Sequence, residues 1–426
     1  MSEMKDSGIE WIGNIPWNWD KSRIKYVASF HNGDRGKNYP SSEDMVDNGV
    51  IFLTSNNIHS IEIDGSIELS KYITREKYLS LGGAKVQHND LIYCLRGSVG
   101  NCAINTIFVE GTIASSLVVI RPIRVSARYL NYVMNSPINQ IQTADAMNGT
   151  CAANLAAESV ANYHFVLPPN EQQNKIVTFL DSICKKLETI ITDIKVQQTN
   201  LEQYKQSIIS EAVTKGFNRQ VKTRESGIRW CPNIPVHWKT DRGKFILQLL
   251  ERPVYEDDGV ITCFRDGEVT LRSKRREDGF TVSLQEAGYQ GIEPGDLVVH
   301  GMDGFAGAIG ISDSRGKGTP VLNVMDSQQN KRYLMYYLRW IAKIGVFESL
   351  STGIRVRSCD TNWNKLRELP YIVPPIEEQD AIAKYLDEKC AKIDEAIADK
   401  RKLLDILDNY KKSLIFEYVT GKKEVL

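Results

Sequence analysis

The residues of this chain best suited to chemistry sit in polar loops carrying Arg, Lys, Asn and His, which can hydrogen-bond base edges and phosphates. Gly33–Tyr39 holds Arg35, Lys37 and Asn38, and Ser55–His59 adds Asn56, Asn57 and His59. Arg96 and Ser98 share a Gly-rich loop, and Asn148 and Thr150 flank Gly149. In the second half, Arg272, Lys274, Arg275 and Arg276 form a basic cluster, His300 and Asp303 share another Gly-rich loop, and Arg355 and Arg357 lie in Gly353–Ser358. Arg and Lys suit guanine and Asn suits adenine in the major groove, while a basic cluster neutralises phosphates. The same residue types build turns, so each loop has a second reading as a plain surface turn.

Catalytic constellations are missing from the sequence. Its two Pro-Pro sites read Leu167-Pro168-Pro169-Asn170 and Val373-Pro374-Pro375-Ile376, unlike the Asp/Asn-Pro-Pro-Tyr/Phe loop of amino-methyltransferases. Walker A, dinucleotide-binding and HExxH patterns are absent too. His300 and Asp303 are explained as well by a polar loop as by a catalytic pair. The chain is therefore expected to be no enzyme by itself, with no metal and no cofactor of its own.

Loops of this kind need a scaffold, and the sequence writes one twice. A shift of 206 positions superposes Pro168 on Pro374, Gln173 on Gln379, Leu180 on Leu386, Cys184 on Cys390 and Tyr204 on Tyr410 without a gap. Ile176, Leu180, Ile183, Leu187, Ile190, Ile194, Leu201, Tyr204 and Ile208 step by threes and fours, polar once at Gln197, which predicts a coiled-coil helix. Ile382, Leu386, Ile393, Leu403, Leu407, Tyr410 and Leu414 continue the same stripe in the second copy, interrupted by Lys389 and Lys400. The prolines suit a helix start, Asn170 a cap with Gln173 three residues on, and Gly216 and Gly421 the helix exits. About forty helical residues span roughly 60 Å at 1.5 Å per residue, too long for one domain, so each helix needs a partner and the other copy is the nearest.

Each half opens alike. SGIEWIGNIPWNW (from Ser7) and SGIRWCPNIPVHW (from Ser226) are identical at eight of thirteen positions. The chain is thus two tandem units, each a Trp/Pro lead-in, a globular body and a long helix. Strands are expected at Val50–Leu53, Leu91–Leu95, Leu117–Ile120, Val260–Phe264, Leu297–His300 and Ala308–Ile311, and helices at Tyr129–Met134, Ile138–Ala146 and Arg332–Ile344. The bodies themselves barely repeat, beyond Asp90-Leu91 and Asp296-Leu297, each before a Gly-rich loop. A constant frame with varied contents fits two recognition heads.

Composition sets the bounds. With 53 basic and 53 acidic residues the formal net charge is zero, which counts against a free-standing nucleic-acid binder. The eight cysteines form no CxxC pair, as expected of reduced thiols in a cytosolic protein. Neither a signal peptide nor an apolar run of membrane-spanning length is present, so a soluble cytoplasmic chain is expected.

The paired Pro-Pro-x-x-(Glu/Gln)-Gln helices, the Glu10–Pro16 lead-in and the Asp-Leu strands before Gly loops resemble the specificity (S, or HsdS-like) subunits of type I restriction–modification systems. The resemblance covers the whole chain, most closely the helices. It implies an α+β fold: two mixed α/β target recognition domains joined by two long antiparallel coiled-coil helices, a pseudo-two-fold tandem repeat. Residues 1–167 and 217–373 would be the recognition domains, and 168–216 and 374–426 the spacer helices. It also implies double-stranded DNA as ligand, one half of a split target per domain. The implied partners are two methyltransferase (modification) subunits, which would bind S-adenosylmethionine, and motor-nuclease restriction subunits. An alternative from the residues alone is a coiled-coil scaffold whose heads bind proteins.

Overall fold

The computed structural model describes residues 3–147, 154–218, 220–275, 287–349 and 361–425. Of the candidate site residues, Asn148, Thr150, Arg276, Arg355 and Arg357 lie outside the described residues. Contacts gather the chain into two compact units, Met1–Ile194 with Arg401–Leu426, and Lys195–Lys400. These units cut across the four consecutive segments. Each takes a body, the first half of the long helix that follows it and the second half of the other long helix.

The main helices are α1 (Ala127–Met134), α2 (Pro137–Met147), α3 (Asn170–Lys215), α4 (Lys331–Lys343) and α5 (Ile376–Val419). Both bodies are built on one four-stranded antiparallel sheet despite their unlike sequences. In the first unit the order is Cys102–Ile104, Leu91–Cys94, Leu117–Pro122, Ala28–Asn32. In the second it is Ile309–Ile311, Leu297–His300, Leu322–Ser327, Leu247–Leu249. Leu91–Cys94 and the stretches Leu117 to Ile120 and Leu297 to Val299 are unbroken apolar runs because both sheet faces are covered, while Asn323 interrupts the other central strand of the second unit. Leu91, Tyr93, Val118 and Ile120 join a core with α1, whereas Ile92, Cys94, Leu117 and Val119 join a core with Ile51, Leu53, Val86 and Ile113. Leu297 and Val299 alternate with Val298 in the same way in the second unit.

Over the second face the copies diverge. The first unit has five strands, ordered Met45–Val46, Tyr72–Ile73, Val50–Leu53, Gly111–Ile113, Lys85–Val86, with Val50–Leu53 and Gly111–Ile113 parallel. The second unit keeps the parallel contact as a single Val260–Lys317 bridge and pairs Gln290–Ile292 with Gly316–Gly318. Its Ile261–Cys263 strand instead hairpins onto Val269–Leu271.

Within each unit the two helix halves run antiparallel. In the first, Phe179 packs on Tyr418 and Glu188 Oε1 accepts from Lys411 Nζ at 2.7 Å. In the second, Asp394 Oδ2 accepts from Lys205 Nζ at 2.6 Å, which is the same ion pair with the copies exchanged. The seam differs from the sequence-derived stripe. Ile176, Leu180, Leu187, Ile194, Leu201 and Ile208 lie in it, but between them it runs through Cys184, Ile191, Gln198 and Lys205. In α5 it runs through Ile382, Leu386, Cys390, Ile393, Ile397, Lys400, Leu404, Leu407, Lys411 and Leu414. Ile190, Tyr204, Leu403 and Tyr410 are 46, 53, 43 and 53% exposed and are corrected out of it; Ile183 is half-buried at its edge. Both lines keep the seven-residue repeat through Leu180, Leu187, Ile194, Leu201 and Ile208; the alternate contacts fall one residue later, where Cys184 and Ile191 bury apolar side chains and Gln198 and Lys205 lay their stems along the seam. The second seam is therefore as apolar as the first in its body-proximal half: Lys389 is exposed, and Lys400 donates to Gln197 Oε1 at 2.6 Å.

Repeated polar side chains tie helix to body. Gln173 is 2% exposed and Gln379 is fully buried. Gln173 Oε1 accepts from Ser126 N at 2.9 Å and its Nε2 donates to the Pro168 carbonyl at 2.8 Å. Gln379 does the same with Asn330 N and the Pro374 carbonyl. Gln173 thus reaches into the body rather than completing a capping box. Tyr129 Oη lies 2.9 Å from the Val166 carbonyl and 3.0 Å from the Val419 carbonyl, and Tyr333 Oη stands likewise at Ile372 and Val213. Asp181 accepts from Arg128 and Tyr132, and Asp387 from Arg332 and Tyr336. Gly216 and Gly421 end the helices at φ +66° and +70° and press on Trp238 and on Pro16 and Trp19, where a Cβ would have to displace its neighbours.

Candidate nucleic-acid interface

One end of each body collects the polar loops. In the first unit, Cys94 pairs with Leu117 and Asn32 with Val118, and Leu53 stands beside Ile113 in the parallel pair. The loops that follow these strands, 33–38, 54–57 and 95–100, therefore leave at one rim together with 114–116. Leu95 N donates to the Ser116 carbonyl and Ala114 N to the Leu53 carbonyl, which closes the rim. Asp34 pins the first loop by accepting from Gly82 N at 2.8 Å. Arg35, Lys37, Asn38, Asn56, Arg96 and Ser98 are exposed there. Arg35 Nη2 makes only a long contact to the Ser115 carbonyl, 3.4 Å.

Two predicted residues of this unit do not join the rim. Asn57 is fully buried: its Oδ1 accepts from Thr54 N at 3.0 Å and its Nδ2 donates to the Asp64 carbonyl at 3.0 Å, so it builds the turn. His59 Nε2 lies 3.0 Å from Asp64 Oδ2, and the ring lines a separate cleft beside Asn101, Gln140 and Thr143.

The corresponding end of the second unit is a cleft of about 710 Å³, lined by Thr262, Phe264, Arg265, Asp266, Arg272, Arg275, His300, Asp303 and Thr319 among others. Arg275 stands 4.0 Å over the Phe264 ring and donates to Asp266 and Glu268, and the paired guanidinium holds the Asp266 carboxyl below its usual range. Arg265 donates to Asp303 Oδ1 at 2.9 Å, and Arg272 Nε to Thr262 Oγ1 at 3.0 Å. His300 Nδ1 accepts from Met302 N and Asp303 N, which assigns the ring proton to Nε2 in the neutral form. Burial lowers the His300 pKa, favouring that neutral form. The cleft thus offers guanidinium forks, hydroxyls and one imidazole donor, the groups that read guanine and thymine edges. Lys274 turns away and bonds Asp313 and Ser314.

Sequence reasoning missed Arg265, Thr262 and Thr319. Arg265 follows Phe264, the last residue of the expected strand, so the turn Arg265-Asp266-Gly267 was the available signal. The two Asp-Leu marks are braces rather than readers. Asp90 is 1% exposed and takes a bidentate pair from Arg121 at 2.8 Å, and Asp296 takes one from Arg252. The arginines come from different positions in the two copies, which hid the shared role. Among the described residues no group of His, Cys, Asp and Glu is placed to hold a metal ion, and no described helix is long and apolar enough to cross a membrane.

Comparison with known proteins finds one consistent likeness. Residues 16–198 match the family model of the type I restriction modification DNA specificity domain. The chain is 18% identical over 405 residues to the type I restriction enzyme StySPI specificity subunit of Salmonella potsdam, covering 90% of this chain and 84% of that protein. A chain from a solved structure of the type I R-M system, described for its complex assembly and conformational transition, superposes at a TM-score of 0.67 with 16% identity, covering 96% of this chain and 99% of that one. With its duplicated frame and two bodies of one plan, the chain is similar in sequence and fold to the specificity subunits of type I restriction–modification systems, and residues 16–198 match the DNA specificity domain.

Proposed function

We propose that this chain reads a split double-stranded DNA target, one half-site per body, and directs an adenine methyltransferase and restriction subunits to it. The observation that carries this reading is the rim: corresponding central strand ends build it twice, at Cys94 and His300 and at Leu117 and Leu322, and the set of side chains on it differs. One rim shows Arg35, Lys37, Asn38, Asn56, Arg96 and Ser98; the other shows Arg265, Arg272, Arg275, His300 and Thr319. Unlike readers on like supports are what two unlike half-sites require. The spacer helices fix the half-site separation, which successive major-groove faces set near one DNA turn, roughly 34 Å, or a multiple.

The duplicated frame also suits two copies of one partner, since each unit presents equivalent surfaces. Methyl transfer and strand cleavage belong, in this reading, to those partners. The methyltransferase subunits bring S-adenosylmethionine and the motor-nuclease subunits the cleavage, while this chain supplies binding and registration in the cytoplasm. Methylation-sensitive sequencing of the host genome, with the chain present and deleted, tests the reading. Loss of adenine methylation at one bipartite motif supports it; an unchanged methylome refutes it and brings the protein-binding scaffold forward.

A further inference from the structure

Arg265 stands on the hairpin turn between Ile261–Cys263 and Val269–Leu271, which Phe264 N and Gly267 N close by donating to the Glu268 and Phe264 carbonyls at 2.8 and 2.9 Å. The turn sits down hard on its support. Gly267 has φ +92°, and a Cβ there would press on the Arg339 guanidinium, while a Cβ at Gly310 would collide with the Gly267 carbonyl. Arg339 Nη2 donates to the Asp266 carbonyl at 2.5 Å, which fixes the turn from outside the reading cleft.

Arg339 comes from α4, and α4 is fixed to α5 by its preceding turns: Arg332 Nη2 and Tyr336 Oη both donate to Asp387 Oδ1 at 2.8 Å. Arg265 and Arg339 also share the wall of a second cleft, about 470 Å³, with Phe305, Tyr336 and Lys343. On that side the turn faces open space, and the guanidinium is its brace. Asp266 is exposed, so water could satisfy its carbonyl; what the arginine adds is position. The first unit lacks this brace. α1 and α4 match at a shift of 204, Arg128 with Arg332, Tyr129 with Tyr333 and Tyr132 with Tyr336, which sets Asn135 in the place of Arg339. Asn135 Nδ2 donates to the Cys102 carbonyl at 3.0 Å, on the edge strand of its own sheet. A role confined to the common frame would keep that short bond in both units. The second unit instead carries an arginine that bonds the turn of its reader.

We infer that Arg339 is a positioning residue for the second half-site. It sets the angle at which Arg265 meets a base edge, and it registers that angle to the spacer helix through α4 and Asp387. This rests on the function proposed above. A guanidinium fork reads a base edge only in one plane, whereas a phosphate contact tolerates tilt, so a loosened turn loses base preference before it loses affinity.

The test is methylation-sensitive sequencing of hosts carrying the wild-type or variant full-length chain, read base by base across the bipartite motif, with melting curves of the purified chains. Arg339→Met removes the donors and keeps the stem. It is expected to raise methylation at single-base variants of the second half-site by about fivefold or more, the low end of what one good base contact discriminates, at the same base position that Arg265→Ala relaxes. Arg339→Lys retains a donor for the single carbonyl and should keep most of the preference. Preference in the first half-site and the melting midpoint should match wild type throughout. Relaxation by Arg265→Ala without relaxation by Arg339→Met would overturn the inference and leave the proposed function standing. Relaxation by neither would overturn it together with Arg265 as a reader. Preference lost in both half-sites alike, with a lowered melting midpoint, would make Arg339 a general support of the fold and overturn the inference. No bipartite motif methylated with the wild-type chain would overturn the inference and the proposed function together.

Discussion

Leu187 and Ile190 discriminate between the two possible seams of α3. Heptad spacing places both against the partner helix, but Leu187 is 7% exposed and Ile190 46%. Leu187 shares the first unit's core with Leu180, Cys184 and Leu414. Truncating such a leucine to alanine costs about 2–5 kcal/mol, so about 3 kcal/mol is expected for Leu187→Ala. At Ile190 about half of a full burial energy of roughly 2 kcal/mol is at stake, and alanine returns about 0.4 kcal/mol of helix propensity. The net loss for Ile190→Ala is then about 0.5 kcal/mol. With about 2–4 °C per kcal/mol for a unit of this size, Leu187→Ala lowers the melting midpoint by about 6–12 °C and Ile190→Ala by about 1–2 °C. Calorimetry on the full chain reads both shifts. Equal shifts, or a larger one for Ile190→Ala, would refute the seam described here. Ile393, the counterpart of Leu187 and also 7% exposed, should repeat the larger effect.

Charge reversal at Glu188 or Lys411 alone should cost about 0.5 kcal/mol, and the exchanged pair Glu188→Lys with Lys411→Glu should recover most of it; a double-mutant cycle without coupling would contradict the pair. Gln379→Ala leaves Asn330 N–H and the Pro374 carbonyl unpaired in a buried site and should cost about 1–3 kcal/mol by denaturant midpoint, with an unchanged midpoint counting against the tie. Burial lowers the pKa values of His164 and His300 from the ordinary 6.5. The unfolded chain therefore takes up these protons first, so stability is full above about pH 6.5 and falls as the pH drops towards the folded-state values. His300→Gln should flatten that decline in melting temperature between pH 7.5 and 5.5, and an equal slope in the variant would exclude His300 as its source. Arg265→Ala should relax base preference in one half-site of the methylated motif and leave the other intact; sequencing that shows both half-sites altered would count against separate readers.

Much of the frame was legible in the chain because it is written locally and twice. Helix period, the Pro-Pro starts and the Gly216 and Gly421 exits are short-range signals, and α3 and α5 run from Asn170 and Ile376 to within a residue or two of those glycines. The strands Val50–Leu53, Leu91–Cys94 and Leu297–His300 announced themselves as apolar runs because they are buried on both faces. The seam was less legible. Four of its predicted residues point to solvent, since a one-residue shift turns a helix by about 100° and apolar residues occupy both candidate lines.

What the sequence by itself determined is the duplication, the element types and the stretches where polar loops interrupt buried strands. All of these follow from local spacing and from comparing the chain with itself. What only the tertiary structure decided is the pairing. It joined each body to the far half of the other copy's helix, matched two sheets whose sequences no longer correspond, and gathered loops far apart in the chain at one rim. It also separated look-alikes: Asn56 reaches solvent while Asn57 builds the turn beneath it, and Arg275 lines the cleft while Lys274 leans on Asp313. The reason is physical. Composition and period report what a residue can bond, but which partner lies within 3 Å depends on strand register and packing between segments that the chain order keeps far apart.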